Sequence, residues 1–574
     1  MATKNNSYAV SAGHDLAAGI AADILDVGGN AVDAGVAASI ALTVLHSEQV
    51  QFGGVAPILV YLAGEDRCYS IEGAGRWPTS ADPQYFETNH RGRIPQGILR
   101  TVVPAAPDAW LTALARFGSM SFADVASPAQ SLAKEGFPAH EDLAACSAQF
   151  QRSYMRMGEN AKFWLVNDAP IDVGHLFVQS KLADCIGTLV DADRKGSAKK
   201  GRTGGLQAVR DLFYKGDMAN IMIRHVKNHD GWLTHADLAA HKTPVVSATT
   251  ASVFSGTLFT PGPWTQAPAL SQALQILDAY GISKLPSCSV DAFHLIIEAL
   301  KLALVDREAY YGDPEFIDVP LTELLSPEYT KARASLIDKH KAASPLPPAG
   351  EFRGHSTAMR SGMTAPETGE LSLDTSVAAI IDGEGNIFAS TPSDASFDGP
   401  VVPELGFVLS TRGAQSYVAG DHPASLRPGK RPRVSAYPMI FKTANGGVIA
   451  GGGPGADLQL QAMAQTLAGH IAQGLPLVDA VAAPRVFTHS IPSSTEPHLA
   501  SADKVMVEEA INEDFLDALT ARGHKSAFGA ASGISRPSIC LVADDPSDGL
   551  QAVADPRRAS GQRLKSSKPE RTDK

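Results

Sequence analysis

Apolar residues near the start of the chain follow the period of a helix. Residues 15–27 place apolar side chains all round a helical turn, Gly28 supplies a stop, and Asn30 can cap a second helix over residues 31–45. The longest apolar run, Ala34–Leu45, is shorter than the ~20 residues that span a bilayer, and Gly, Ser and Thr interrupt it. We therefore expect a buried helix there and no membrane partner.

The pattern then changes to the alternation that strands show. Residues 55–62 and 67–72 predict two paired strands. Much later, residues 375–382 and 387–393 alternate on either side of a turn at 383–386, which predicts a β-hairpin. The remaining predicted elements are strands within residues 406–411, 438–442, 446–453 and 534–544, and helices over about 457–470 and 508–524.

Three segments break these patterns. Residues 191–205 are basic and contain Gly, which is typical of a solvated loop. Residues 341–370 mix Pro, Gly, Ser and charge without a period, which favours a mobile linker. Residues 557–574 are polar and basic, so we expect a disordered tail.

Composition narrows the class of protein. The chain has 574 residues, of which 44% are hydrophobic and 19% charged, as in a soluble globular enzyme. Its net charge of -12 argues against a nucleic-acid partner, because binding phosphates requires a concentrated basic surface. The first six residues lack the apolar core of a secretory signal, so we expect a cytoplasmic location if this is the natural start.

Several common chemistries have no sequence signal. The five cysteines are dispersed without C-x-x-C spacing, which predicts neither a disulfide framework nor a zinc cluster. A Ser-His-Asp hydrolase would carry a G-x-S-x-G elbow, and none is present. We predict no metal site, because the histidines considered occur singly without metal-ligand spacing: His14, His46, His294 and His422.

Thr375, which begins the predicted hairpin, could become a new N-terminus. Attack of its hydroxyl on the Asp374 carbonyl would shift the acyl group from nitrogen to oxygen, and hydrolysis would then cut the chain. The freed α-amine titrates at about 7.7 to 8.0 and can activate the hydroxyl of its own residue. A threonine at the start of a strand is also ordinary β-branched packing, so the rest of the chain must decide.

Motifs along the chain supply that context. GNAVDAGVAASIALTVLHSE, FGG and IEGAGRWP resemble the opening of the γ-glutamyltranspeptidase family of N-terminal nucleophile hydrolases. The likeness continues in the family's order over roughly residues 8–560, and many ordered motifs make chance agreement improbable. STPSDASFDGPVVPELGF and DHPASLRPGKRP resemble the bacterial branch that includes acylases and small-amide hydrolases.

The resemblance implies an α+β fold, a four-layer αββα sandwich with the nucleophile at a strand edge. It also implies self-cleavage between Asp374 and Thr375. The large fragment would be 1–374, with a mobile linker at about 341–374, and the small fragment 375–574, with a disordered tail at about 557–574. The two fragments would remain together as a heterodimer without a cofactor. The oligomeric state, including a homo-oligomer, stays open.

The resemblance also assigns the catalytic residues. Thr375 stands where the family has its nucleophile, and Ser393 stands where a second hydroxyl supports it. Thr391 alternates to the same strand face as Ser393. Gly455 and Ala456 match the oxyanion hole, in a Gly-rich loop before a helix that is typical of anion binding. A main-chain donor at Ala456 tolerates the methyl group if its φ remains negative.

The predicted substrate-binding residues depart from the family pattern. Ala74 replaces the arginine that holds the glutamyl α-carboxylate. Arg76 lies two residues on, which returns to the same face if the strand continues, so it is either a displaced cation or a structural surface residue. Arg412 and Gln415 occupy the stretch that holds the glutamyl ammonium in the family. Ser435 keeps one of two adjacent serines, and a valine replaces the other.

These replacements shape the predicted function. A cation at Arg412 would repel an ammonium group by a few kcal/mol in a poorly solvated pocket. We therefore expect a self-processing amide hydrolase that acts through a Thr375 acyl-enzyme on a small amide without a free α-amine. Its acyl group could end in a carboxylate that Arg412 binds in a bidentate manner. The alternatives are γ-glutamyl transfer from glutathione and an uncut homologue that acts as a binding protein.

Overall fold

The structure is a computed structural model that describes residues 7–355, 363–364, 374–508, 511–529 and 537–566. The helices are α1 Asp15–Asp26, α2 Ala31–Leu45, α3 Pro83–His90, α4 Ala106–Phe117, α5 Phe122–Glu135, α6 Glu141–Gln149, α7 Gln151–Arg156, α8 Ala161–Trp164, α9 Ser180–Tyr214, α10 Asp217–Asn228, α11 His235–Ala240, α12 Ala267–Tyr280, α13 Val290–Tyr310, α14 Leu321–Leu324, α15 Pro327–Ala334, α16 Asp457–Leu467, α17 Leu477–Ala482 and α18 Glu513–Ala521.

The strands include many short ones at the rims of the two main sheets. They are β1 Tyr8–Ala12, β2 Ile58–Leu62, β3 Arg67–Ile71, β4 Phe137–Pro138, β5 Leu176–Phe177, β6 Val245–Ser247, β7 Thr249–Val253, β8 Gly256–Thr260, β9 Met363–Thr364, β10 Ala378–Ile381, β11 Ile387–Ser390, β12 Val401–Val402, β13 Phe407–Val408, β14 Met439–Lys442, β15 Val448–Gly452, β16 Val486–Thr488, β17 Leu499–Ala500, β18 Lys504–Val507, β19 Lys525–Phe528, β20 Cys540–Asp545, β21 Gly549–Ala554 and β22 Gly561–Lys565.

Two antiparallel sheets form the centre of the molecule. The seven-stranded sheet has the order β22-β1-β10-β11-β2-β3-β6, and the six-stranded sheet has the order β21-β20-β15-β14-β8-β7. The predicted hairpin is confirmed, because β10 pairs with β11 and Ala378 lies opposite Ser390. The pairing of β2 with β3 is also as predicted.

Three apolar clusters separate four layers. Residues of both sheets, including Ala379, Ile440 and Val542, form one cluster between them. The other face of the seven-stranded sheet shares an apolar cluster with α1, α2, α4 and α5, and the other face of the six-stranded sheet shares one with α12, α13 and α16. The predicted αββα sandwich is confirmed, since each sheet buries both faces.

Helix α2 illustrates why small residues occur at the sheet. Asn30 caps it through a reciprocal capping box with Asp33, as the sequence predicts at this end. All of its residues are buried. A Cβ on Gly35 would lie 2.0 Å from the ring of Phe388 on β11, so only glycine allows this approach of helix to sheet.

Two loop predictions are wrong. Residues 191–205 are helical within α9, which is kinked at Lys200 and Gly201. Apolar residues on both sides of the kink pack along α5, so burial outweighs the polar composition of the segment. The tail prediction fails for residues 561–565, which pair with β1 and place Arg563 2.6 Å from Asp15. Residues 567–574 lie outside the described residues.

The predicted linker lies only partly within the described residues. Residues 341–355 contain neither helix nor strand, in agreement with their composition. Of the segment leading to Thr375, residues 356–362 and 365–373 lie outside the described residues. Among the helices that the structure describes, none combines the length and apolar content needed to cross a bilayer.

Candidate functional site

Thr375 lies just before β10 and is wholly buried. Its main-chain N–H donates to the Gln49 carbonyl at 3.2 Å, and the next N–H, of Ser376, donates to the Pro392 carbonyl at 2.9 Å. The φ of Thr375 is +96°, where β-branched residues are rare. Such a conformation costs on the order of 1–3 kcal/mol, and the contacts on both sides hold it.

The Thr375 hydroxyl belongs to a short chain of polar groups. Its Oγ1 lies 2.7 Å from the Ser393 Oγ and 3.3 Å from the Asp374 Oδ1. Ser393 Oγ also accepts a hydrogen bond from the Arg412 guanidinium. The predicted pairing of Thr375 with Ser393 is therefore present in the geometry. Thr391 differs, because its buried hydroxyl has no hydrogen-bond partner in the described part of the chain.

The Gly-rich loop approaches the same peptide bond. The Gly455 N–H donates to the Asp374 carbonyl at 3.3 Å, which places a main-chain donor on the oxygen that an attack by Thr375 would charge. The φ of Gly455 is +131°, which glycine adopts without a steric penalty. The loop thus faces the bond between Asp374 and Thr375 and leads into α16.

The condition of a negative φ at Ala456 is not met, since this angle is +47°. The residue makes a sharp turn immediately before α16, and its carbonyl accepts a hydrogen bond from the Gln266 amide at 3.0 Å. Gln266 in turn accepts from Arg307 at 3.1 Å, and Arg307 pairs with Asp457 at 2.5 Å. This network holds the alanine in a conformation that L-residues disfavour.

Arg412 lies in a short 3-10 turn and its side chain is only 3% exposed. Its guanidinium pairs with Asp374 at 2.5 Å and with Asp394 at 3.3 Å. Burial by itself lowers the pKa of Arg412, but the two carboxylates more than offset this effect, so the pKa is raised. Arg412 is therefore a buried charged group beside the bond between Asp374 and Thr375 rather than a surface cation.

Asp394 is a residue that the sequence prediction missed, although it follows Ser393 directly. It accepts hydrogen bonds from the Ser410 hydroxyl at 2.8 Å and from the Thr411 N–H at 3.3 Å. Burial raises its pKa to about 6, despite the opposing effect of Arg412. The only signal for Asp394 in the sequence was its position directly after Ser393, a hydroxyl residue at the end of a predicted strand.

The pKa of Asp394 predicts a pH-dependent stability. Because the folded pKa of about 6 exceeds the ordinary value of 3.8, the stabilisation is complete below about pH 3.8 and is lost as pH rises through 6. Between about pH 4 and 7, the wild type should lose on the order of 2–3 kcal/mol relative to Asp394→Asn. Urea unfolding of both proteins in the same covalent state measures this difference, and parallel pH curves would contradict it.

Gln415 and Ser435, both predicted to bind substrate, contact each other. The Gln415 amide donates to Ser435 Oγ at 2.8 Å and to Thr495 Oγ1 at 3.2 Å, and its oxygen accepts from the Ser435 N–H at 3.1 Å. Both residues are buried. The pair thus satisfies most of its own hydrogen-bonding capacity within the chain.

Arg76 does not line this site, which corrects its prediction as a substrate-binding residue. It lies in a separate ion cluster, 3.3 Å from Asp313 and 2.5 Å from Glu315, and donates to the Gly429 carbonyl at 3.1 Å. The prediction assumed that strand alternation continues past residue 72, whereas β3 ends at Ile71. These contacts fit the alternative prediction that Arg76 is a structural surface residue.

A cavity of about 500 Å³ opens beside Asp374 and Arg412. Phe150 and Phe397 form one wall, with their rings stacked 3.6 Å apart. Glu496, also missed from the sequence, lines the same cavity, and burial raises its pKa to about 6. The cavity is lined by His90, Arg93, Ile94, Pro95, Gln96, Arg100, Phe150, Asp374, Asp394, Ala395, Phe397, Asp398, Thr411, Arg412, Ala414, Gln415, Thr495, Glu496 and Pro497.

Among the residues that the structure describes, two groups of side chains have the spacing of metal ligands: His46 with Glu48 and His140, and His294 with Glu298 and His524. In the first, both ring nitrogens of His140 make hydrogen bonds, at 2.8 Å and 3.2 Å. In the second, the two histidines bond each other at 2.8 Å and Lys301 pairs with Glu298. These bonds compete with a cation, and the absence of a metal remains a prediction.

Comparisons with known proteins agree with the sequence resemblance. Residues 17–564 match the family described as Gamma-glutamyltranspeptidase. The chain is 28% identical to the glutathione hydrolase proenzyme of Bacillus subtilis (strain 168), covering 96% of this chain and 90% of that protein. It is 30% identical to the acylase ACY 1 proenzyme of Pseudomonas sp. (strain SE83), covering 89% and 86%.

A solved structure gives the same result for the fold. The crystal structure of cephalosporin acylase from Bacillus halodurans is similar with a TM-score of 0.79 and 25% identity, covering 97% of this chain and 95% of that one. The chain belongs to the γ-glutamyltranspeptidase family and is an enzyme of the N-terminal nucleophile hydrolase type, a hydrolase or transferase.

Proposed function

We propose that the protein is a self-processing amide hydrolase whose nucleophile is Thr375. One observation carries the proposal: the Thr375 hydroxyl lies 2.7 Å from Ser393 while the Gly455 N–H donates to the carbonyl of the preceding residue. A nucleophile, a supporting hydroxyl and an oxyanion donor thus meet at one peptide bond. The word proenzyme in the names of two relatives is consistent with a processed chain.

The two fragments, 1–374 and 375–574, are expected to remain together after the cut. In the seven-stranded sheet, β10 and β11 of the small fragment lie between β1 and β2 of the large fragment. Each junction has a ladder of main-chain hydrogen bonds and buried apolar faces. Separation would expose the cores on both sides of the sheet, so a stable heterodimer is favoured.

In the cut enzyme, the α-amine of Thr375 would take the proton of its own hydroxyl as Oγ1 attacks a substrate amide. The Gly455 N–H would stabilise the oxyanion, with Ala456 as the proposed second donor. Each such donor is worth about 2.7 to 4 kcal/mol in the transition state. The amine would then protonate the leaving group, and water would release the acyl group from Oγ1.

The substrate proposed is a small amide whose acyl chain ends in a carboxylate and has no free α-amine. The Arg412 guanidinium donates to Ser393, which in turn contacts the Thr375 hydroxyl. A guanidinium is planar and offers parallel N–H groups that suit a carboxylate. Phe150 and Phe397 supply an apolar wall for the methylene chain. Gln415 is already bonded to Ser435, and it carries no negative charge to attract an ammonium group.

Glu496 favours a second candidate, transfer or hydrolysis of a γ-glutamyl group. Its carboxyl lies in the same cavity as Arg412, so the two could hold the ammonium and the carboxylate of an α-amino acid. The raised pKa of Glu496, about 6, still leaves it mostly ionised at neutral pH. This candidate makes the same use of Thr375 and differs only in the acyl group.

A panel of anilides with one leaving group separates the candidates. We expect a glutaryl amide to exceed both the γ-glutamyl and the butyryl amide in kcat/KM by about tenfold or more. A strong preference for the γ-glutamyl amide would favour the second candidate. Intact-mass analysis of the same sample should find fragments that meet at Asp374 and Thr375. A single 60.3 kDa chain without hydrolysis would instead indicate an uncut binding homologue.

A further inference from the structure

Asp374 makes contacts that its position at the cleavage point does not require. One carboxylate oxygen, Oδ2, pairs with Arg412 at 2.5 Å, and the other, Oδ1, lies 3.3 Å from the Thr375 hydroxyl. The side chain is 16% exposed, at the edge of the cavity. The carboxylate is therefore held by one oxygen while the other faces the attacking atom.

One arrangement of protons satisfies all three polar contacts around Thr375 and Ser393 at once. Arg412 has no acceptor, so Ser393 Oγ must accept its N–H. Either hydroxyl can donate in the 2.7 Å contact between Ser393 Oγ and Thr375 Oγ1, and in this arrangement Ser393 is the donor. Thr375 then donates its own proton to the Asp374 carboxylate at 3.3 Å, which in its ionised form can only accept.

In the uncut chain, Thr375 has no α-amine to act as a base, because its nitrogen is in the peptide bond. From these contacts we infer that the Asp374 carboxylate is the general base for cleavage of its own peptide bond. The inference rests on the proposed function, since it requires that the chain cuts itself at Thr375. It concerns the first reaction of the protein and not the later turnover of substrate.

The proposed step balances within the chain. As Thr375 Oγ1 bonds to the Asp374 carbonyl carbon, its proton moves to Oδ1, and the carbonyl oxygen becomes an oxyanion on the Gly455 N–H. The carbon–nitrogen bond then breaks and the Asp374 carboxyl returns the proton to the Thr375 nitrogen. The product is an ester with a free amine. Water hydrolyses the ester, leaving Asp374 with a new C-terminal carboxylate and Thr375 with its hydroxyl restored.

Arg412 and the backbone assist this reaction in different ways. The guanidinium holds Oδ2 and so presents Oδ1 to the hydroxyl. Arg412 and Thr375 are buried and the Asp374 side chain is only 16% exposed, which limits competition from water. The positive φ of Thr375 adds strain that the N-to-O shift can relieve, because the rearranged residue is no longer held in a peptide bond at its nitrogen.

The test follows self-cleavage of freshly synthesised full-length chain by intact mass over time. Asp374→Asn keeps the shape of the side chain but removes the base, and we expect cleavage to slow by about 100-fold or more. The matched control is Asp15→Asn, which makes the same change at a carboxylate that pairs with an arginine, Arg563 at 2.6 Å, and that does not line the cavity. This control should cleave within about threefold of the wild-type rate, since no contact joins Asp15 to Thr375 in the described residues.

A second variant separates a base from a structural role. Asp374→Ala leaves space at the edge of the cavity, and added formate should restore its cleavage with a saturating dependence, while chloride at equal ionic strength should not. Wild-type cleavage rates in Asp374→Asn overturn the inference. So do slow rates in both Asp374 variants without rescue by formate. A wild-type chain that stays uncut contradicts the proposed function itself, which distinguishes the two failures.

Discussion

A Thr375→Ala variant should remain a single chain of 60.3 kDa and lose amide hydrolysis by about 10⁴-fold or more. One side chain carries both results, because the same hydroxyl would attack the Asp374 carbonyl in the uncut chain and the substrate carbonyl afterwards. No hydroxyl can replace it without rearrangement. Ser393 is 2.7 Å from Thr375 Oγ1, but its N–H and carbonyl are both bonded to Val55. Intact mass and an anilide assay measure the two losses.

Thr375→Ser is the matched control for this prediction. It keeps the nucleophile and removes only the methyl group, so it should cut itself and retain measurable hydrolysis. Removing the methyl group also lessens the steric cost at a φ of +96°. If Thr375→Ala were still cut between residues 374 and 375 and still hydrolysed the amide, another group would be the nucleophile.

Arg412→Gln should lower kcat/KM for a glutaryl amide by about 10² to 10³-fold, while a butyryl amide should be affected much less. The expected ratio follows from losing a buried, charge-assisted contact of about 3–4 kcal/mol, at 1.4 kcal/mol for each tenfold change. The contact is strong in this position because the Arg412 side chain is only 3% exposed and water screens it little. Steady-state kinetics with both amides measure the ratio.

Arg412→Lys tests the geometry of the contact separately from its charge. Lysine keeps a cation but cannot offer two parallel N–H groups, so it should recover only part of the preference for the glutaryl amide. Both variants should also be less stable than the wild type, because Asp394 loses its partner in a buried site. An equal loss for glutaryl and butyryl amides would mean that Arg412 supports the fold of the site and does not bind the acyl group.

Much of the fold near Thr375 was predictable because its causes are local. The hairpin of β10 and β11 follows from alternation around a turn at residues 383–386, and α2 follows from its cap at Asn30. The proximity of Ser393 to Thr375 is part of the same hairpin, which is why a spacing argument found it. Local composition predicted a loop at residues 191–205, but these residues are helical because α9 packs on α5.

The charged site could not be derived from neighbouring residues. Arg412 was identified as a cation near the acyl group, but its pairing with Asp374 and Asp394 depends on three segments that meet only in the folded chain. The same applies to Gly455, whose N–H reaches the Asp374 carbonyl from the other sheet. Arg76 fails for the opposite reason, because a local rule was applied beyond the end of β3.

The sequence by itself determined the family and the mixed α and β architecture, and it predicted the threonine at which the chain would be cut. Each of these depends on motifs in order or on periodicity within one element. Only the tertiary structure decided which charges surround that threonine, that Ala456 has a positive φ, and that the Asp374 carboxylate faces the Thr375 hydroxyl. These features are set by contacts between distant segments, whose distances and burial no local pattern encodes.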